Sequence, residues 1–301
     1  MGDRDDDPVS QTCEHCGRSD DRPIVLHAEG KERRFCSTEC LASTEKQERV
    51  MLWLALAKER DAIIGKLEEE RGSKVISMIH REEMHDAEEQ QITIDNTEEL
   101  LRKIRSVPPG VPIDFIIHCP GGVVLPAEQI ALALKEHRGK ATAIVPYYAM
   151  SGATLVCLAA DEIVMEPFSV LGPLDPQIDG LPSPSLLKLV ELKGPENVSD
   201  QMIVLADMAE KSLRQMKSFI RYLLMGRLSE SEANNLAEFM TRGYLTHDSP
   251  LTASELQSLG LKVELNVPDD VHIFMKLHKL VSTPAKSRRR ERGQDHDPGP
   301  A

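Results

Sequence analysis

What the chain lacks narrows the reading first. Its longest apolar run, "VMLWLALA" from Val50 to Ala57, falls far short of the roughly 20 residues that span a bilayer. It reads as the packing face of a helix, not a membrane anchor. The opening "MGDRDDDPVSQ" has neither a basic start nor an apolar centre, so no secretory leader is expected. Positive charge is in deficit: 36 Lys and Arg stand against 49 Asp and Glu, a formal net charge of −13. Binding to nucleic acid, which needs clustered cations, is not expected. No internal repeat is present. The expected location is cytoplasmic or membrane-peripheral. Hydrophobic residues at 41% are ordinary for a soluble protein that buries a core.

Cysteine is scarce except at the start. Cys13, Cys16, Cys36 and Cys40 form the pattern C-x2-C-x19-C-x3-C. Two close pairs separated by such a spacer suit tetrahedral zinc, because each pair spans two corners of the coordination sphere. Disulfides are disfavoured in a cytoplasmic chain. His15 and His27 are substitute ligands that four cysteines make unnecessary. The segment resembles small treble-clef or TRASH-like zinc modules. It gives structural zinc, Zn2+, as the expected metal, and a surface that could recruit a protein partner.

After this module, 1–42, a helical spacer is expected over 43–72. Its apolar positions Val50, Leu54, Ala57, Ile64 and Leu67 recur at helical spacing, and Gly72 and Ser73 end it. From 73 to 282 strands and helices alternate, the mark of an α/β layer. "KVISMIHRE", "PIDFIIHC", "KATAIVPYY" and "EIVMEP" read as strands. "TEELLRKIRSV", with Asn96 or Thr97 as cap, "LPAEQIALALKEHRG", "SGATLVCLAA" and "LADMAEKSLRQMKSFIRYLLMGRL" read as helices. The tail 283–301 has almost no apolar content and is expected to be disordered.

The chemistry gathers where α/β sheets build sites, at the C-terminal ends of strands. "HCPGG", His118 to Gly122, follows a buried strand, and its glycines let backbone N–H groups face a cleft. Ser151 stands at a strand-to-helix corner between Met150 and Gly152. Such a serine is either a helix N-cap or a nucleophile whose neighbouring amides meet an oxyanion. A nucleophile needs a base, and "SVLGPLDPQ" beyond it holds no histidine. Lys211, on the long helix, can serve if burial lowers its pKa from about 10.4 to near 7–8, a cost of roughly 4 kcal/mol. Asp207, four residues earlier, opposes that by favouring the charged form. His118, Cys119 and Cys157 read as buried core residues.

"PGG" after a buried strand, then "AMSGAT", then "AADEIVMEPFSVLGPLDPQ" resemble the Clp/crotonase superfamily. More narrowly they resemble the serine dehydrogenase proteinase family, relatives of signal peptide peptidase A. The resemblance covers Lys74 to Glu264 and implies a Clp/crotonase-type layered β/α fold. It implies a serine peptidase acting on polypeptides through a serine–lysine dyad, in a homo-oligomer. Ser151 matches the nucleophile, "LADMAEKSLRQ" points to Lys211 as the base, and Gly121, Gly122 and Gly152 match the oxyanion hole. Lys193, Lys188 and Lys217 are the substitutes for Lys211. Signal peptide peptidases often carry two glycines after the serine; here the second is Ala153. "THDSPLTASELQSLGL" resembles the Clp stretch that supplies a triad aspartate, and Asp248 falls there. Asp248 could equally cap the helix after Leu251, and His247 beside it is an auxiliary base. Two other readings remain: a non-catalytic oligomeric scaffold whose zinc module recruits partners, and a crotonase-like acyl-CoA enzyme.

The cysteine pattern makes one direct prediction. Purified protein should carry one zinc per chain by elemental analysis. Cys13→Ser combined with Cys36→Ser should remove it while the remainder stays folded; zinc well below one equivalent in the parent overturns the assignment.

Overall fold

The computed structural model describes residues 13, 18, 24–28, 31–35, 40, 46–80 and 90–279. Five parallel strands form its centre: β3 (Lys74–Ile79), β4 (Ile113–His118), β5 (Ala141–Val145), β7 (Glu162–Met165) and β12 (Val263–Leu265). Their order is β12-β7-β5-β4-β3. Every residue of β4, β5 and β7 is buried. Parallel strands are covered on both faces, so near-continuous apolar runs are what such strands require.

The pleat divides those runs between two cores. Phe115, Ile117, Ala143, Val145, Ile163 and Met165 point to one face. There α2 (Ile94–Ser106), α3 (Val124–Lys135) and α4 (Gly152–Ala159) pack, with α6 (Asp200–Leu224) and α7 (Glu230–Thr241) outside them. Ile116, Ile144 and Val164 point the other way. They meet Ile63, Ile64 and Leu67 of α1 (Lys46–Arg71) and Val271, Phe274 and Met275 of α9 (Asp269–Lys279). The helix whose pattern suggests a spacer is therefore a layer of the main unit in its second half. Gly72, at φ 62, ends it, and Ser73 N–H donates back to the Glu68 carbonyl at 3.3 Å. Arg71 Nε lies 2.5 Å from Oδ2 of the buried Asp114, which also accepts from Ser73 Oγ at 2.6 Å. α1 is thus locked to the start of β4.

Shorter elements surround the C-terminal ends of the strands. β6 (Tyr148–Ala149), β8 (Val170–Leu171) and β11 (Leu251–Thr252) form a small sheet in the order β11-β8-β6. β9 (Gln177–Ile178) and β10 (Leu181–Pro182) form a hairpin. Its turn, Asp179 at φ 50 and Gly180 at φ 76, is the two-residue form that matches strand twist. α5 (Ser183–Lys193) and α8 (Ala253–Ser258) complete this side. Two expected caps are corrected. α2 is capped by Thr93, in a reciprocal box with Asn96, and α8 by Thr252, in a box with Glu255. Asp248 is therefore not the cap after Leu251.

Cys13 and Cys40 are buried, and β1 (Ile24–Ala28) and β2 (Lys31–Phe35) pair antiparallel between them. Cys16, Cys36 and the tail 283–301 lie outside the described residues. Among the described residues no group of three or more possible metal ligands is assembled, and no helix is long and apolar enough to cross a membrane.

Arg227 links the fold to the site. Its guanidinium donates to the carbonyls of Leu158 and Ala160, at the C-terminal end of α4, and to Leu223 at 2.6 Å. These are the carbonyls a helix end leaves without partners, and the charge suits the negative pole there. Arg227→Met should lower the unfolding free energy by about 2–3 kcal/mol in urea titrations. Arg227→Lys should recover part of that, having a charge but no fork. No change in Arg227→Met would contradict the capping role.

Candidate active site

The site grows from the end of β4. Cys119 continues the strand, bridging to Ala149, and Met150 N–H donates to the Cys119 carbonyl at 2.9 Å. Beyond Pro120 the chain turns through Gly121 at φ 117 and Gly122 at φ 145, values that favour glycine. Space demands glycine as well. A Cβ on Gly122 would lie 2.3 Å from the Ile92 carbonyl oxygen, and one on Gly121 would lie 2.8 Å from the Ser151 Cβ. The segment is stitched by Ile92 N–H to the Gly121 carbonyl at 2.8 Å and Val123 N–H to the Ile92 carbonyl at 2.9 Å.

This stitching sorts the three expected oxyanion donors. The Gly121 amide donates to the Cys119 sulfur at 3.3 Å. The thiol itself is fully buried, and desolvation pushes its pKa up to about 12, so it is neutral. Among the described residues the Gly122 and Gly152 amides donate to nothing. They lie close together: the position of a Cβ on Gly152 is 3.9 Å from Gly122 N. Gly122 and Gly152 therefore form the open donor pair, and Gly121 is turned away to the thiol.

Ser151 stands over this pair at φ 49 and ψ −123. A non-glycine residue there costs on the order of 1–3 kcal/mol and persists only where the surroundings fix it. Here they do. Thr154 Oγ1, buried one turn along, donates to the Ala149 carbonyl at 2.7 Å and accepts from Gly172 N–H at 3.0 Å. Ser151 occupies the N-cap position of α4, yet among the described residues its hydroxyl makes no capping bond. The ordinary structural role of such a serine is not what its side chain performs.

A cleft of about 560 Å³ opens beside it, lined by Gly121, Gly122, Ser151, Gly152, Leu155, Leu174, Asp175, Gln177, Met216 and His247. His247 Nδ1 lies 2.8 Å from Oδ1 of Asp175, which is 3% exposed. The hydrogen bond to Asp175 raises the His247 pKa above its ordinary 6.5; burial opposes this, and the Asp175 and Asp248 charges add to it. The folded state thus favours imidazolium. The pair adds stability at pH below the ordinary value and loses it as pH rises through the raised one.

Asp248 is exposed and makes no hydrogen bond to that ring; its carboxyl is held low chiefly by the Thr246 hydroxyl. Lys211 is not brought to the cleft. Its side chain is 61% exposed, and its Nζ lies 2.5 Å from Asp207 Oδ2. Among the described residues lining the cleft there is no lysine: Lys188 and Lys193 are exposed on α5, and Lys217 pairs with Glu238 at 2.5 Å. Asp175 is the member sequence reasoning missed. It sits in "SVLGPLDPQ", the stretch searched for a histidine. The usable signal was an acid framed by Leu174 and Pro176 in an otherwise uncharged segment.

The family described as ClpP-like SDH-type serine proteinase matches residues 48–290 of the chain, so the match includes most of α1. Two uncharacterized proteins of Methanocaldococcus jannaschii are similar. MJ0137 is 47% identical over 221 residues, 72% of this chain and 77% of its own length. MJ1495 is 47% identical over 219 residues, 71% of this chain and 75% of its own. Among solved structures, ClpP1 from Listeria monocytogenes aligns with a TM-score of 0.42 and 13% identity, over 67% of this chain and 96% of that one.

Two glycines should respond to alanine with opposite signs. Gly122→Ala drives a Cβ into a backbone carbonyl at a φ hostile to side chains, and should destabilise the protein by about 2 kcal/mol or more. Gly65, inside α1, has nothing within 4 Å of its Cβ position. Gly65→Ala should stabilise by about 0.5–1 kcal/mol. Melting temperatures of the two variants check this; Gly122→Ala without a loss overturns the close-approach argument.

Proposed function

We infer the reaction from one premise: the chain belongs to the ClpP-like SDH-type serine proteinase family. It acts as a serine peptidase. Ser151 Oγ attacks the peptide carbonyl carbon while His247 Nε2 takes its proton. Charge moves to the carbonyl oxygen, which the Gly122 and Gly152 amides receive. The tetrahedral species expels the amine, which leaves with the proton from His247. Water, activated by the same imidazole, then releases the acyl group from Ser151.

The observation that carries this reading is the 2.8 Å pair of His247 and the buried Asp175, opening on the cleft that holds Ser151. Asp175 accepts from Nδ1–H and leaves Nε2 as the basic nitrogen. Among the described residues no hydrogen bond yet joins Ser151 to His247; bonds of this kind commonly close only with substrate present. A dyad of Ser151 and Lys211 is the rival. It requires the Lys211–Asp207 pair to open and the amine to lose its charge and reach the cleft. The scaffold reading leaves the unsatisfied amides and the Ser151 strain without a purpose. We read the working form as a homo-oligomer, in keeping with Ile203, Val204 and Met208 exposed along α6, and the N-terminal module as a structural zinc site.

Labelling with a fluorophosphonate separates the readings. Ser151→Ala should abolish it and His247→Ala should slow it by about 100-fold or more, while Lys211→Ala should label normally. Labelling that survives His247→Ala but not Lys211→Ala establishes the dyad instead. An unlabelled, folded parent favours the scaffold. The rate should rise with pH through a step above 6.5, since neutral imidazole is the base and its pKa is raised. Asp175→Asn should lower both that step and the plateau.

A further inference from the structure

The Gly122 amide is one half of a peptide unit whose other half is the Gly121 carbonyl. A planar trans peptide points its C=O and N–H to opposite sides. Whatever holds the Gly121 carbonyl therefore aims the Gly122 N–H. Two groups hold it, and neither lines the cleft. Ile92 N–H donates to that oxygen at 2.8 Å. The Cys119 thiol, 0% exposed, donates to it as well, with the sulfur 3.3 Å away. The same sulfur accepts from Gly121 N–H at 3.3 Å. One side chain thus engages both polar groups of Gly121.

The glycines make such a grip necessary. Their φ values of 117 and 145 are open to glycine, but so are the negative counterparts. A half-turn of the Gly121–Gly122 peptide would put a carbonyl oxygen where an oxyanion needs a donor, and no side chain on either residue opposes that turn. Hydrogen bonds must select the plane. Ile92 contributes a backbone donor. Cys119 contributes the side chain, and burial pushes its pKa up to about 12. The thiol therefore keeps its proton, and sulfur donates and accepts at once. We propose that Cys119 is a positioning residue: its thiol holds the Gly121–Gly122 peptide with the Gly122 N–H toward the forming oxyanion. This rests on the peptidase reading with Gly122 as an oxyanion donor, whichever residue is the base.

Three variants test it. Cys119→Ala removes donor and acceptor, Cys119→Val removes both but keeps apolar bulk, and Cys119→Ser keeps both on a smaller atom. A packing role alone ranks Val nearest the parent and Ser with Ala; the positioning role ranks Ser nearest and Val with Ala. On a peptide amide substrate, Cys119→Ala and Cys119→Val should lower kcat about tenfold or more with KM within about twofold, and Cys119→Ser should stay within about threefold of the parent. A peptide aldehyde adds a second readout. Ser151 Oγ bonds its carbonyl carbon, the serine proton passes to the base, and the former carbonyl oxygen enters the donor pair. Aldehyde affinity should fall in step with kcat, while the matching peptide alcohol, which cannot add, should bind as before. Parental kcat in folded Cys119→Ala or Cys119→Val overturns the proposal, and so does Val outranking Ser. Where Cys119→Ala does not fold, the order of Val and Ser decides. If the parent takes no fluorophosphonate label at Ser151, the peptidase reading fails and this proposal with it. If the parent is labelled and Cys119→Ala cleaves at the parental rate, only the role of Cys119 is lost.

Discussion

The site depends on how closely Gly121 and Gly122 approach Ile92 and Ser151. No side chain fits on either glycine: the positions for a Cβ lie 2.3 Å from one backbone oxygen and 2.8 Å from the Ser151 Cβ. That closeness sets the Gly122 amide beside the Gly152 amide. Two donors from different strand ends can then meet one oxygen. Among the described residues neither donor has an internal acceptor, so both remain open toward the cleft. A turn with ordinary side chains would separate the two amides and leave a plain N-cap.

The same region carries conformational strain, and its neighbours explain how it is held. Ser151 is in a conformation that side chains avoid, and the bonds of Thr154 to Ala149 and Gly172 fix it from behind. α4, which begins at Ser151, is fully buried and ends on the Arg227 guanidinium. Arg227 meets the carbonyl end of the helix, and the amide end at Gly152 stays open to the cleft. An anion forming near Gly152 gains from that positive pole. The strained corner and the half-buried cation stand at the two ends of one short helix.

Much of this was legible in the sequence, and the rest was hidden for identifiable reasons. Largely apolar strands and the glycine pair have local signatures, so the sheet, the turn after β4 and the corner at Ser151 could be read directly. α1 could not be assigned to a layer, because periodicity gives a helix's apolar face but not what covers it; Leu67 meets the sheet from a distance no local pattern encodes. Lys211 drew attention because α6 has an apolar stripe, but only the stripe is buried and Lys211 lies off it. Asp175 and His247 are joined across 72 positions. Asp175 precedes His247, so a search for a histidine soon after the serine passed over the acid standing in that stretch. The pairing exists only through the fold, which returns the loop after α7 to the hairpin.

That pairing sets stability and chemistry against each other in pH. Asp175 is a buried carboxylate, and a buried charge is tolerated when it is paired and hydrogen-bonded. Gln177 and His247 supply its partners, and the attraction is greatest when His247 is protonated. A protonated His247 cannot take the serine's proton. The condition that holds the loop most firmly is thus the one in which the base is inactive. As pH rises through the raised His247 value, the ion pair becomes a hydrogen bond from a neutral ring to the carboxylate, and the loop loses electrostatic support while Nε2 loses its proton. In the proposed reaction, proton transfer from Ser151 would restore imidazolium, and with it the full attraction to Asp175. The transition state therefore recovers the interaction that the resting enzyme gives up on becoming competent. In that sense the buried aspartate stabilises the reacting arrangement more than the ground state.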